Sequence, residues 1–95
     1  MKINLNQIEE KKIALTKNDS FRVMYFEFEA GKGLPNHSHN GNAMIQVLEG
    51  IIDFNFVGDE QVVLEQGEIL PFDARRVHNI IAREKSRVMV TIGAL

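Results

Sequence analysis

The three histidines of this chain are its clearest candidates for chemistry. His37 and His39 are separated by one residue, in a segment rich in glycine, proline and asparagine that runs into an apolar, strand-like stretch. Residues two apart in an extended chain point to the same side, so both imidazoles can face one point. His78 opens another apolar stretch, where alternation places it on one face with Ile80 and Ala82.

Imidazole nitrogens bind divalent transition metals, at about 2.0–2.1 Å in zinc sites. The spacing is compatible with one divalent ion (iron, zinc, nickel or manganese) held by His37, His39 and His78. The alternative is that each is a hydrogen-bonded structural histidine, because a lone strand histidine and an isolated His-x-His pair are both weak signals. Arg75 and Arg76 precede His78 in a turn, where a guanidinium could bind a substrate carboxylate; two solvated arginines are the simpler interpretation.

Composition and charge exclude several classes of function. The formal net charge is −2 and no basic patch with interleaved aromatics occurs, which argues against nucleic acid or an acidic membrane as a partner. Cysteine is absent, so disulfides, thiolate metal sites and cysteine nucleophiles are excluded. Residues 1–6 lack the apolar run of a signal peptide and no stretch is long enough to span a membrane, so a cytoplasmic location is the default expectation.

The spacing of turn residues predicts an all-β chain of 95 residues folded as one domain, residues 1–95. Asn6 and Glu9 have the spacing of a capping box, which predicts a helical turn over residues 6–11. Residues 31–42 contain Pro35 and several glycines and asparagines, so they are expected to form a long ordered loop. The expected strands cover residues 12–17, 21–29, 43–48, 51–56, 61–64, 69–72, 77–82 and 87–92.

The strand expected over residues 21–29 is apolar on both faces, with Tyr25 on one and Phe26 on the other. Both faces of such a strand must be covered. One is expected to line the core, and the other to meet a second sheet or a partner chain. Because a chain this short has little material to supply both covers, the pattern predicts a homodimer.

The frame around the histidines resembles the cupin family. Gly31, five intervening residues and His37-Ser38-His39 match the opening of the first cupin motif, and Val47-Leu48-Glu49-Gly50 matches its close. A glycine, a proline and a histidine (Gly67, Pro71 and His78) resemble the second motif, with the proline displaced. The resemblance implies an antiparallel double-sheet jelly-roll barrel with inward-facing metal ligands near one open end, where a small-molecule ligand enters.

The chain departs from the cupin pattern at Ala43, where many cupins carry a glutamate as fourth ligand. Asn42 and Gln46 are the nearby polar side chains that could contact metal or substrate, although Gln46 lies an odd number of residues from Ala43 and is expected to face the opposite side. Three neutral imidazoles would leave open positions on the ion and favour anionic or chelating oxygen ligands.

Two functions fit this site. The first is a metal-dependent enzyme acting on a small oxygenated molecule, a dioxygenase or isomerase; a minority of cupin dioxygenases use three histidines without the glutamate. The second is a non-catalytic barrel that binds a small molecule, with a weak or structural metal.

Overall fold

The computed structural model describes residues 1–93, and this part of the chain is almost entirely β-strand. A three-residue 3-10 turn, Leu5–Gln7, comes first. The strands are β1 (Lys12–Lys17), β2 (Phe21–Phe28), β3 (Gly33–His37), β4 (Asn42–Glu49), β5 (Ile51–Phe56), β6 (Gln61–Glu65), β7 (Ile69–Asp73), β8 (His78–Ala82) and β9 (Ser86–Gly93).

The strands form two antiparallel sheets packed face to face. One sheet has the order β1-β2-β9-β4-β7, and the other has the order β3-β8-β5-β6. Every pair of hydrogen-bonded neighbours runs antiparallel. The double-sheet jelly roll that the resemblance implies is therefore confirmed. No helix within residues 1–93 has the length and apolar character needed to cross a membrane.

The core lies between the sheets and follows strict alternation along the strands. In β4, Ala43, Ile45 and Val47 are buried while their neighbours are at least partly exposed, and β5 and β9 show the same period of two. Such alternation is typical of antiparallel sheets with one face on the core. Ala74, in the turn after β7, is also buried, and the other buried apolar side chains of the core cluster come from both sheets: Phe26, Phe28, Ile52, Phe54, Phe56, Leu64, Ile80, Ala82, Val88, Val90 and Ile92.

The strand bounds agree closely with those expected from the sequence, and two predictions were wrong. The expected loop over residues 31–42 contains strand β3, which pairs with β8. This strand was not predicted because glycine, proline and asparagine are uncommon in strands, and its side chains pack little apolar surface. The expected helical turn over residues 6–11 is instead a 3-10 turn over Leu5–Gln7, capped by Asn4, whose side chain accepts a hydrogen bond from the Asn6 amide.

The outer face of β2 is covered in part by the chain itself. Tyr25 is 1% exposed but lies outside the core cluster, and its hydroxyl accepts a hydrogen bond of 2.7 Å from Arg87 Nε. The Arg87 guanidinium also donates to the Leu5 carbonyl, so the N-terminal segment is held against this face. The cover expected from a second sheet or a partner chain is thus supplied at Tyr25 by the N-terminal segment and Arg87 of the chain itself, whereas Phe21 stays 40% exposed.

Gly33 sets the close approach of β3 to β8. A Cβ atom at this position would overlap the backbone carbonyl of Ile80, so only glycine fits without separating the two strands. The backbone of Gly33 is not in the left-handed region, so close approach, and not a special turn, explains the residue. This contact matters because β3 ends at His37 and β8 begins at His78.

Candidate functional site

A cavity of about 260 Å³ lies between the two sheets, and all three histidines line it. Its volume is slightly below the range of about 300–1,000 Å³ typical of pockets for drug-sized ligands, so it suits a smaller molecule. Most of its wall is apolar, with Phe26, Phe54, Phe72 and Ile80 among the lining residues. Among the described residues, the wall includes no aspartate or glutamate.

His37 and His78 are directly opposite each other across the β3–β8 pair. Their ring centroids are 4.3 Å apart, and the His78 ring stacks on Phe54 at 5.3 Å. His78 is 2% exposed and shares its inward face with Ile80 and Ala82, which confirms the face expected for it. On β8 the side-chain period of two carries His78 into the cavity, whereas β3 has a register irregularity between Leu34 and His37, and both of these side chains line the cavity.

Backbone carbonyls fix the orientation of these two rings. His37 Nδ1 lies 2.7 Å from the Pro35 carbonyl oxygen, and His78 Nδ1 lies 2.6 Å from that of Arg76. A carbonyl only accepts, so Nδ1 carries the hydrogen in both rings and Nε2 has the unshared electron pair. This is the arrangement that orients histidine ligands in metal sites.

His39 is held differently. It follows the end of β3, where its backbone amide donates to the Ala74 carbonyl, and its ring centroid is 5.3 Å from that of His37. Its Nδ1 lies 3.3 Å from Nη2 of Arg22. A guanidinium only donates, so the single unshared pair of the neutral His39 ring accepts this hydrogen bond and Nε2 carries the hydrogen.

Burial keeps two of the three imidazoles neutral. It lowers the pKa of His78 below its ordinary value, against the opposing effect of the hydrogen bond to the Arg76 carbonyl. Burial also lowers the pKa of His39, and the neighbouring His37 and Arg22 lower it further. Both rings are therefore neutral near pH 7, the state in which imidazole accepts hydrogen bonds or binds metal.

In this arrangement only two of the three histidines offer a ring nitrogen with an available electron pair to a divalent ion. The Nε2 atoms of His37 and His78 are available, whereas the unshared pair of His39 is taken by Arg22. Within residues 1–93, no group of three or more histidine, cysteine, aspartate or glutamate side chains is arranged so that it could hold a metal ion. Completing a three-histidine site therefore requires that Arg22 leave His39.

Asn42 and Gln46 lie outside the wall of the cavity. Asn42 is exposed at the start of β4, and Gln46 is on the outward face of that strand, as its odd spacing from Ala43 predicts. Ala43 itself points inward, is 8% exposed and lines the cavity, so the position that carries glutamate in many cupins does face the histidines here.

Arg75 and Arg76 also lie outside the wall, and each is paired with an acidic residue. Arg75 makes two side-chain hydrogen bonds to Asp73, through Nε at 2.8 Å and Nη2 at 2.9 Å. Arg76 donates to Asp59 at 2.6 Å and lies over the Phe56 ring at 3.8 Å. The structure thus places these arginines in the turn before β8, engaged with carboxylates of the chain itself.

Arg22, the arginine that does line the cavity, was not predicted as a site residue from the sequence. Cross-strand register places Arg22, Ile92 and Ala43 in one row across the first sheet. Alternation along β2 could have identified it. Arg22 is an even number of residues from Met24, Phe26 and Phe28, which form the inward face of this strand. An arginine on an otherwise apolar inward face indicates a functional position.

Comparisons with known proteins agree with this architecture. An RmlC-like cupin protein from Desulfovibrio desulfuricans is 29% identical, with a TM-score of 0.87 over 98% of this chain and 95% of that one. A cupin superfamily protein from Desulfitobacterium hafniense is 19% identical, with a TM-score of 0.83 over 100% and 84%. KdgF from Halomonas sp. is 17% identical, with a TM-score of 0.78 over 88% and 77%.

The structural matches at 19% and 17% identity show the fold alone. No curated protein matches this sequence. The sequence model of the cupin domain matches residues 24–92, which include all three histidines and eight of the nine described strands in whole or in part. This match covers well over half of the chain, which therefore belongs to the cupin family.

Proposed function

We propose that the chain binds one divalent metal ion through His37, His39 and His78 and acts as a metal-dependent enzyme on a small, oxygenated, anionic molecule. The observation that carries the proposal is that three imidazoles line one small cavity, two of them with Nδ1 fixed by backbone carbonyls. Iron, zinc, nickel and manganese are all candidates, because ligand type alone does not select among them.

The chain's own residues would contribute orientation and a dry environment. The carbonyls of Pro35 and Arg76 hold two rings in place, and the apolar wall around Phe54 excludes water from a bound molecule. The described wall residues include no carboxylate, and all three imidazoles of the chain are assigned to the ion, so no carboxylate or imidazole of the wall is left over as a general base. A bound metal ion would polarise a substrate oxygen as a Lewis acid or bring oxygen beside the substrate.

Metal titration tests the first half of the proposal. Chelator-treated protein is titrated calorimetrically with each metal, and we expect one ion per chain. His37→Ala, His39→Ala and His78→Ala should each lower the affinity by roughly 10–100-fold or more, since even residues that only orient a ligand contribute that much. Gln46→Ala, on the outward face of β4, is the matched control and should bind as the wild type does. Equal binding by wild type and His78→Ala would refute the site.

Turnover tests the second half. The metal-loaded protein is incubated with a panel of β-dicarbonyl and keto-acid compounds, with oxygen uptake measured under iron(II) and product formation measured for each metal. Consumption of a compound that the His78→Ala variant does not consume supports an enzyme. Stoichiometric metal without turnover of any compound would refute the catalytic proposal.

A specific observation favours a second candidate, a non-catalytic barrel that binds a small molecule. The contact between Arg22 and His39 leaves the three-histidine set incomplete, whereas the cavity is already formed. This function predicts that a small molecule raises the melting temperature of chelator-treated protein, following the linkage between binding and stability. The enzyme predicts such stabilisation chiefly in the metal-loaded protein.

A further inference from the structure

Arg22 is unusual among the arginines of this chain. The chain has five arginines, all within the described residues, and Arg75, Arg76, Arg83 and Arg87 each form a salt bridge with an acidic side chain. Arg22 has no salt bridge within residues 1–93 and is only partly exposed. A guanidinium has five N–H donors, and the hydrogen bond to His39 uses one of them.

The charge of the cavity wall points to an anion. Arg22 and Lys12 both line the cavity, and the described wall contains no aspartate or glutamate to balance them. Lys12 lies 5.9 Å from the centroid of the Phe26 ring, which belongs to the same wall. An uncompensated positive charge in a largely apolar cavity favours a ligand that carries a negative group and an apolar body.

Position singles out Arg22 as the group that binds this anion. It shares a cross-strand row with Ile92 and Ala43, and the methyl group of Ala43 leaves space where a larger side chain would fill the cavity. Arginine matches the two oxygens of a carboxylate with two parallel hydrogen bonds, which lysine does not. The apolar part of a ligand bound this way can pack on Phe26, Phe54 and Phe72, which line the same cavity.

The same guanidinium occupies the unshared electron pair of His39. A neutral imidazole has one such pair, so His39 offers no ring nitrogen to a metal while Arg22 donates to it. A carboxylate is a stronger acceptor for a guanidinium than a neutral imidazole, because both partners are charged. An anion that draws Arg22 away would therefore leave His39 with an available nitrogen.

We propose that Arg22 is the anion-binding residue of this cavity, that its ligand is a small monocarboxylate with an apolar body, and that binding of the carboxylate releases His39 from Arg22. The use of the released ring as a third metal ligand rests on the function proposed above, whereas the anion site does not. Substrate binding would then complete the ligand set, so that a metal ion and its substrate favour each other's binding.

Calorimetry on chelator-treated full-length protein tests the anion site without metal. The probe is benzoate, and its neutral analogue benzamide is the matched ligand control. We expect benzoate to bind at millimolar concentration or below and benzamide to bind about tenfold more weakly or worse, the size expected for loss of a charge-assisted hydrogen bond. Equal binding of the two compounds, or no benzoate binding at millimolar concentrations, would overturn the proposal.

Variants then assign the site to Arg22. Arg22→Met keeps the length of the side chain and should lose about tenfold or more in benzoate affinity, while Arg22→Lys should lose less because it keeps the charge. Arg75→Met, at an exposed arginine outside the cavity, is the matched control and should bind benzoate like the wild type. Full benzoate affinity in folded Arg22→Met would refute the assignment.

Nitrogen-15 NMR of the imidazole rings tests the release of His39. The ring nitrogens of His39 should change their chemical shifts when benzoate is added, because the donor to Nδ1 is withdrawn. His78 is the internal control, since its Nδ1 is bonded to the Arg76 carbonyl and should stay protonated. Benzoate binding that leaves the His39 shifts unchanged would overturn the coupling. Because no metal is present, these results stand apart from the outcome of the metal titration.

Discussion

Asp53 and Arg83 form an ion pair on the outer face of the second sheet. Arg83 Nη2 lies 2.7 Å from Asp53 Oδ1, and Nε donates to both carboxylate oxygens at 2.9 and 3.1 Å. The hydrogen bonds from Arg83 lower the pKa of the Asp53 carboxyl below its ordinary value, with burial acting in the opposite direction. The pair joins β5 to the segment that follows β8.

This pairing predicts a specific dependence of stability on pH. Because the pKa of Asp53 is lower in the folded protein than in the unfolded one, its stabilising effect is present above the unfolded value of about 3.9 and is lost as pH falls through the folded value. We therefore expect Asp53→Asn to reduce the free energy of unfolding at pH 7 and to show a smaller loss of stability below about pH 4.

Urea unfolding at a series of pH values measures this difference. Asp19→Asn is the matched control, because Asp19 is exposed in the β1–β2 turn and has no salt bridge within residues 1–93. Its pH profile should follow that of the wild type. A gap between wild type and Asp53→Asn that stays constant from neutral to strongly acidic pH would contradict the prediction.

Alternation along the strands, together with the cupin motifs, identified several of the side chains that line the cavity. His37, His39, His78 and the inward position of Ala43 followed from a period of two and from the cupin motifs. Arg75 and Arg76 were selected for their distance along the chain from His78, but their acidic partners, Asp73 and Asp59, could not be read from that distance. Asp59 in particular is brought to Arg76 only by the fold.

At the scale of elements, the pairing of β3 with β8 controls the distance between two histidines. Gly33 permits the close approach of these strands, and β3 carries His37 to its place opposite His78. Gly33→Ala should push the strands apart and cost about 2–3 kcal/mol of stability, the upper part of the range for overpacking. It should also weaken metal binding, because the imidazoles would separate.

Gly58→Ala is the matched control for this prediction. Gly58 has a φ of +74° in the turn after β5, and a Cβ atom there meets nothing within 4 Å. Its substitution should therefore cost only the backbone strain of a left-handed residue, about 1–2 kcal/mol, and leave metal affinity unchanged. Chemical denaturation and metal titration of both variants decide the matter. A Gly33→Ala protein with wild-type metal affinity would show that the pairing does not position the histidines.

Strands with clear apolar alternation were predicted from the sequence more accurately than those without it. The bounds of β1 and β5 are confirmed to the residue; the turn residues Asn18-Asp19-Ser20 end β1, and turns at Gly50 and Gly58 flank β5. Strand β3 was missed because Gly33, Pro35 and Asn36 give no strand signal; tertiary pairing with β8 imposes the extended conformation. The 3-10 turn was misplaced because Asn4, and not Asn6, caps it.

At the scale of the whole molecule, a homodimer remains our prediction. A domain of this size buries only about 60–65% of the surface that its unfolded chain exposes, so association adds useful burial. The outer face of β2 is closed at Tyr25 but still exposes Phe21, at 40%. We expect sedimentation equilibrium at micromolar concentration to give twice the mass of the chain.

Two variants test whether Phe21 lies in the predicted dimer interface. Phe21→Ser should shift the equilibrium toward monomer, because it removes apolar surface that a second chain would bury. Val57→Ser is the matched control, since Val57 is 54% exposed but follows β5 in the other sheet. A wild-type protein that sediments only as a monomer at micromolar concentration would refute the dimer.

Strand β9 occupies the middle of the first sheet, between β2 and β4, although it is the last of the described strands along the chain. During synthesis, β2 and β4 are therefore made before the strand that pairs with both of them. Until β9 is available, each has one edge without its hydrogen-bonding partner. At roughly 5–20 residues per second, the nascent chain waits on the order of a few seconds for residues 86–93 to arrive. Until then the barrel cannot close, and chaperones or neighbouring nascent chains have access to those edges.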